Sequence, residues 1–147
     1  MSKGNDMDDA KLVELAFEAR ERAYCPYSHW SVGAALLCAN GTVYQGCNIE
    51  NAAYTPSNCA ERTAFFQAIY DGQRDFSAIA IVGGPEGEAT EAYCAPCGVC
   101  RQVMQEFCGP STFRIVLGRS DGESRSYLLQ ELLPEGFGPS DLNVHEH

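Results

Sequence analysis

The sequence predicts an α/β fold, a three-layer α/β/α sandwich with a mixed β-sheet. Three observations carry that expectation. Two nearly unbroken apolar runs, SVGAALLCA (31–39) and FSAIAIVGG (76–84), suit strands buried on both faces. Apolar residues at helical spacing recur around them at 8–23, 61–72 and 98–107. Strands alternating with helices then require helices on both sides of the sheet. At 147 residues, 45% of them hydrophobic, the chain has the size and apolar content of one domain, 1–147, with frayed ends at 1–7 and 141–147.

In order along the chain, Leu12, Leu15, Ala16 and Ala19 line one face of a first helix over 8–23, with Asp8 or Asp9 as its cap. The run 31–39, the dipeptide Asn40-Gly41 and TVYQGCN (42–48) read as a β-hairpin. Asn40-Gly41-Thr42 also matches a glycosylation acceptor, but the flanking strands make the turn the better reading. ERTAFFQAIYDG (61–72) places Ala64, Phe65, Ala68 and Ile69 on one helical face and stops at Gly72. A buried strand at 76–84 follows, then the polar loop PEGEATEAY (85–93). GVCRQVMQEF (98–107) is a third helix, and FRIVLG (113–118), Asp121-Gly122 and ESRSYL (123–128) give strand, turn and strand. Leu128 to Leu133 adds a short helix ended by Pro134.

Ten Lys plus Arg against twenty Asp plus Glu leave a formal charge of −10. Nucleic-acid affinity comes mainly from cations meeting phosphates, so no nucleic-acid partner is expected. No apolar run approaches the roughly 18 residues of a membrane span, and MSKGNDMDDA lacks the apolar core of a signal peptide, so a cytoplasmic protein without a membrane partner is expected. The eight cysteines are accordingly read as reduced thiols rather than a disulfide framework. His145 and His147 are assigned to a solvated acidic tail.

Two stretches concentrate chemistry: CAPCGVC (94–100) and NCAERT (58–63). Cys97 and Cys100, three apart at a helix start, can share one face, and Cys59 at another helix start can complete a set of three thiolates for zinc. Helix N-termini favour the thiolate form that a metal requires. Cys94 offers a fourth sulfur, so the cysteines alone fit a closed structural site as well as an open catalytic one. Glu61 tips the balance, because a carboxylate beside the metal is what an activated water needs as a proton shuttle. Arg62 is placed to donate to the sulfurs and withdraw charge from them. Cys25, Cys38, Cys47 and Cys108 lie in or near apolar segments and are read as packing residues.

Cys59-Ala60-Glu61 followed by Pro96-Cys97-x-x-Cys100 resembles the zinc-dependent cytidine deaminases. The resemblance extends through AYCPYSHWSVGAAL (23–36), GCNIENAAY (46–54), CAERTA (59–64), PCGVCRQV (96–103) and LLPEGFGP (132–139), covering most of residues 10 to 140. It implies one zinc per chain on Cys59, Cys97 and Cys100, and a zinc-bound hydroxide attacking C4 of cytosine. Glu61 then carries the water's proton to N3 and helps ammonia leave. Cysteine at position 59 resembles the short, homotetrameric branch, and Cys94 lies outside the pattern as a spare thiol. The family's substrate contacts fall on Asn48, Glu50, Trp30 and Ala60, with Tyr54 and Phe137 at a boundary between subunits that share active sites. Two residues apart on an extended segment point the same way, so Asn48 and Glu50 can address one ligand, Glu50 accepting from ribose hydroxyls. Trp30 stands where the family often has phenylalanine, which changes the pocket wall. The implied activity is hydrolytic deamination of cytidine and 2′-deoxycytidine to uridine and 2′-deoxyuridine in pyrimidine salvage. Two alternatives remain at this point: a relative acting on another aminated heterocycle, and a non-catalytic zinc-stabilised binding module.

Overall fold

The computed structural model describes residues 7–144; the chain ends, with His145 and His147, lie outside the described residues. Five strands form one mixed sheet in the order β2-β1-β3-β4-β5: β1 Trp30–Cys38, β2 Val43–Cys47, β3 Phe76–Pro85, β4 Arg114–Gly118 and β5 Ser124–Leu128. Only the β3–β4 pair is parallel, and the other neighbours run antiparallel. The helices are α1 Asp9–Arg20, α2 Ala60–Tyr70, α3 Gly98–Phe107 and the single turn α4 Leu129–Leu132. A 3-10 turn, Pro139–Leu142, closes the described chain. No helix among the described residues is long and apolar enough to cross a membrane.

Both predicted hairpin turns form where the sequence supplies φ > 0 without strain. Gly41 has φ 93° and donates to Cys38 O at 3.0 Å, and Gly122 has φ 90° and donates to Arg119 O at 3.2 Å. Asp8 is the helix cap, its Oδ1 accepting from Lys11 N at 2.8 Å.

β1 and β3 are buried along nearly their whole length because helices cover both sheet faces. On one face α1 sets Leu12, Val13 and Ala16 against Ala35, Leu37, Ala80 and Val116. On the other, α2 and α3 bring Ala64, Phe65, Cys100 and Met104 onto Leu36, Ile79, Ile81 and Ile115. Polar β5 (SRSYL) is an exposed edge, which discourages further strand pairing.

The segments before α2 and α3, residues 48–59 and 86–97, converge at one end of the sheet. Ile49 bridges both Tyr24 and Asn58, with Tyr24 N donating to Asn48 O at 2.9 Å and Ile49 N to Asn58 O at 3.0 Å. These bridges fold the loop that reaches Cys59 back over the end of β1.

Candidate metal centre and cleft

Cys59 is the N-cap residue of α2 and Cys97 that of α3; neither uses its side chain as a cap, so both sulfurs are free to turn toward each other. Cys100 follows in the first turn of α3 and is buried. Cys59 Sγ and Cys97 Sγ lie 3.7 Å apart, Cys97 Sγ and Cys100 Sγ 3.6 Å, and all three within 4.8 Å of one another. Tetrahedral sulfurs on zinc at about 2.3 Å stand roughly 3.8 Å apart, so the three already have ligand spacing. Three thiolate donors suit a soft, tetrahedral cation, and zinc fits this centre. Among the described residues this is the one group of three candidate ligands that meets this spacing, and Cys94 is not in it.

Close backbone contacts hold the two helix starts in place. Gly46 of β2 has no room for a side chain: a Cβ there would stand 2.4 Å from Ala60 O and 2.6 Å from Ala64 N, so α2 rests directly on the strand. Arg101 anchors the other start, donating from Nε to Pro96 O at 2.8 Å and from Nη1 to Leu132 O at 2.6 Å.

The electrostatics follow from crowding sulfur, a guanidinium and a carboxyl together. The Cys100 thiol beside Cys59, with help from Arg62 and Cys97, lowers it to about 5 against the opposing effect of burial. The same contact, together with burial, pushes Cys100 far above the ordinary thiol range. Arg62 Nη2 donates to Cys59 Sγ at 3.3 Å, so Arg62 is a partner of the sulfurs rather than a solvated surface charge. Glu61, only 4% exposed, is lifted to about 7 chiefly by burial, with the Cys59 charge adding to it.

Glu61, Cys59 and Cys97 line a cleft of about 530 Å³. Trp30, Asn48, Glu50, Ala60 and Arg62, all singled out in the sequence, line the same cleft. Tyr54 lies just beyond, in a hollow of about 370 Å³ that shares Ser28, Glu50 and Ser57 with it. Phe137 lines neither; its carbonyl accepts from Gln102 Nε2 at 2.8 Å and the residue is 58% exposed on the α3 side. A separate hollow of about 380 Å³ near residues 105–112 and 139–144 contains no candidate ligand group.

Sequence reasoning did not single out Ser28, Ser57 and Asn58 as cleft residues, and it treated Cys94, another lining residue, as spare. The long-range pairing of Tyr24, Ile49 and Asn58 and the hydrogen bonds of Ser28 to Glu50 and of Asn51 to Ser57 bring the first three there. Asn48 and Glu50 also have structural partners. Asn48 Nδ2 donates to Trp30 O and its Oδ1 accepts from Val32 N, both at 2.8 Å, stitching residue 48 to β1. Glu50 Oε1 accepts from Tyr27 N at 3.0 Å and Ser28 N at 3.1 Å, and its Oε2 accepts from Ser28 Oγ. The Ser28 hydroxyl foremost holds this carboxyl below its ordinary value.

All eight cysteines are free thiols. Cys38 and Cys108 are buried in the apolar core, and burial pushes Cys38 up to about 11, while Cys25 is buried outside both apolar clusters. Cys47 is half-buried, its Sγ 3.4 Å from Arg22 O.

Residues 6–116 match the family model described as the cytidine and deoxycytidylate deaminase zinc-binding region. A cytidine deaminase of Sporosarcina psychrophila is 49% identical over 93% of this chain and 96% of its own, and one of Halalkalibacterium halodurans is 47% identical over 93% and 99%. Among solved structures, a cytidine deaminase from Burkholderia pseudomallei superposes with TM-score 0.82 at 47% identity, covering 89% of this chain and all of that one. One from Mycobacterium tuberculosis gives 0.74 at 36% identity, covering 90% and 99%.

Proposed function

The chain belongs to the zinc-binding cytidine and deoxycytidylate deaminase family and is a cytidine deaminase, and from that premise we propose that it hydrolyses both cytidine and 2′-deoxycytidine. The products are ammonia and uridine or 2′-deoxyuridine, which makes the reaction a step of pyrimidine salvage in the cytoplasm. One observation carries the mechanistic reading: a buried carboxyl, Glu61, lines the same cleft as sulfurs of a three-thiolate centre.

Cys59, Cys97 and Cys100 would hold the zinc, which when bound would supply a Lewis acid that lets water give up a proton near neutral pH. Glu61 takes that proton from the water attacking C4, delivers it to N3, and then supports proton transfer to the departing amino group. A carboxyl in a nearly dry site suits both directions of this transfer, since burial raises its affinity for the proton it must carry. Arg62, donating to Cys59 Sγ, removes charge from a centre that three thiolates would leave net negative.

Asn48 and Glu50 address the sugar, Ala60 and Trp30 frame the base, and the Glu50 Oε2 edge retains acceptor capacity for a ribose hydroxyl. Tyr54 beyond the mouth of the cleft and Phe137 outside it fit a homotetramer in which neighbouring copies complete each site. The test is Glu61→Gln. Zinc content and fold should persist while kcat falls about 100-fold or more. A variant with normal turnover would remove the proton-shuttle role.

A further inference from the structure

Ser28 stands where the cleft and the hollow beyond it meet. With Glu50 and Ser57 it lines both the 530 Å³ cleft and the neighbouring 370 Å³ hollow. Its hydroxyl carries two hydrogen bonds whose directions are fixed by chemistry. Trp30 N donates to Ser28 Oγ at 3.1 Å, which leaves the hydroxyl proton for another acceptor, and Ser28 Oγ donates it to Glu50 Oε2. The other carboxylate oxygen, Oε1, accepts from the N–H groups of Tyr27 and Ser28. The turn that presents these donors is itself held. His29, between Ser28 and Trp30, has φ 56°, a left-handed conformation that a non-glycine residue keeps only where its surroundings impose it. Its N donates to Cys25 O at 2.9 Å and its O accepts from Glu86 N at 2.8 Å.

These bonds close a ring around one residue. Asn48 Nδ2 donates to Trp30 O at 2.8 Å, while Trp30 N is tied through Ser28 Oγ to Glu50, two positions after Asn48. Both side chains assigned to the sugar are thus fastened to the backbone of the residue assigned to the base. The geometry points to Ser28 as a positioning residue: its hydroxyl locks the Glu50 carboxylate to the Trp30 backbone and so sets where, relative to the base, the cleft accepts a sugar hydroxyl. This rests on Glu50 addressing the sugar, as proposed above. Donors on both of its oxygens keep Glu50 ionised, and an ionised carboxylate can only accept, so it selects a hydroxyl from the ligand. Without the Ser28 hydroxyl the Oε2 edge is free to turn. Each binding event must then select the aligned carboxylate, a cost that falls on substrate binding rather than on proton transfer.

The test compares Ser28→Ala with Glu50→Ala in the zinc-loaded protein, with cytidine and its 2′-, 3′- and 5′-deoxy analogues as substrates. Ser28 is exposed, so its replacement leaves the core intact. Ser28→Ala should raise KM for cytidine roughly 3-fold to 10-fold, the worth of one net hydrogen bond, with kcat and zinc content kept. The penalty should vanish for the analogue that lacks the hydroxyl Glu50 accepts, and again when Ser28→Ala is added to Glu50→Ala. Ser28→Thr, which keeps the hydroxyl, should recover most of the affinity. Mere loosening of the turn would penalise all four substrates alike, with or without Glu50, and that result overturns the assignment. An unchanged KM in Ser28→Ala, with Glu50→Ala impaired, overturns it too and leaves the sugar reading standing. An unchanged KM in Glu50→Ala would remove the sugar reading itself, and the role of Ser28 with it.

Discussion

The two helix starts that carry the sulfurs are built in opposite ways. The first turn of α2 is sunk into the protein: Ala60 is fully buried, Glu61 is 4% exposed, and the backbone rests on Gly46. The first turn of α3 is at the surface, with Cys97 exposed, Val99 57% exposed and nothing within 4 Å of a Cβ placed on Gly98. Glu61, the proposed proton carrier, sits on the sunken start, where desolvation can tune it and packing can hold it in place. The exposed start supplies two of the three sulfurs and is held by a few directed hydrogen bonds. Packing positions the acid, and hydrogen bonds position the ligand pair.

Gly46→Ala attacks the sunken side and should have the largest effect. The new Cβ collides with backbone atoms of α2, not with a flexible side-chain tip, so the helix must move or the fold must loosen. Overpacking of this kind costs about 3 kcal/mol or more. Urea unfolding should show that loss, and zinc content and turnover should fall together, because Cys59 and Glu61 travel with the helix. Retention of full stability would mean that α2 is less tightly set than Gly46 implies.

How much of this contrast was legible beforehand depends on the range of the interactions involved. The helix at 98–107 and both hairpin turns follow from local apolar spacing and from glycine's access to φ > 0, and they appear where the sequence predicts them. The grouping of Cys59, Cys97 and Cys100 was legible because metal chemistry demands particular residue types at short spacings, and Glu61 lines the cleft beside it. The first helix is shorter than its pattern, ending at Arg20 and not near 23. Residues 21–23 leave it to reach the Tyr24–Ile49 bridge, a pairing across 25 positions that no local period encodes. Arg20 itself is buried and spends its guanidinium on three carbonyls: Ser31 O at 3.0 Å, Glu88 O at 2.8 Å and Pro85 O at 2.7 Å. Nothing in the local sequence pattern assigns that charge a role, yet it straps the segment leading to the cysteine cluster onto α1 and β1.

Arg101→Met attacks the other side. It keeps the aliphatic stem but removes the donors to Pro96 O and Leu132 O, and should cost about 2 kcal/mol. The C-terminal segment and the loop before Cys97 both loosen, so zinc should bind about 10-fold more weakly in a chelator competition. Glu61, on the other helix, should be undisturbed. Once zinc is saturating, kcat should therefore return close to normal, an outcome that Gly46→Ala cannot give. Arg62→Gln should be milder for stability, within about 1 kcal/mol, since it loses one donor to Cys59 Sγ. Its zinc affinity should still drop about 10-fold because the sulfur loses a partner that withdraws charge. If zinc affinity were unchanged, the Arg62 contact would be packing alone.

The smallest effect tests the contrast most directly. Gly98→Ala makes in α3 the chemical change that Gly46→Ala makes beneath α2, one added methyl group at a helix start beside the metal centre. In α3 the methyl meets no atom within 4 Å, and alanine at a helix-compatible glycine gains stability by narrowing the unfolded ensemble. The expected result is a stabilisation of up to about 0.5 kcal/mol, with zinc content and kcat unaltered. A clear loss instead would have a specific meaning. Within one chain nothing obstructs that methyl, so the obstruction would have to come from another copy packed against the first turn of α3. The surface helix start would then be buried in the assembly, the side of the molecule where Phe137 is exposed would be the contact face, and the two starts would differ only in which chain supplies the packing.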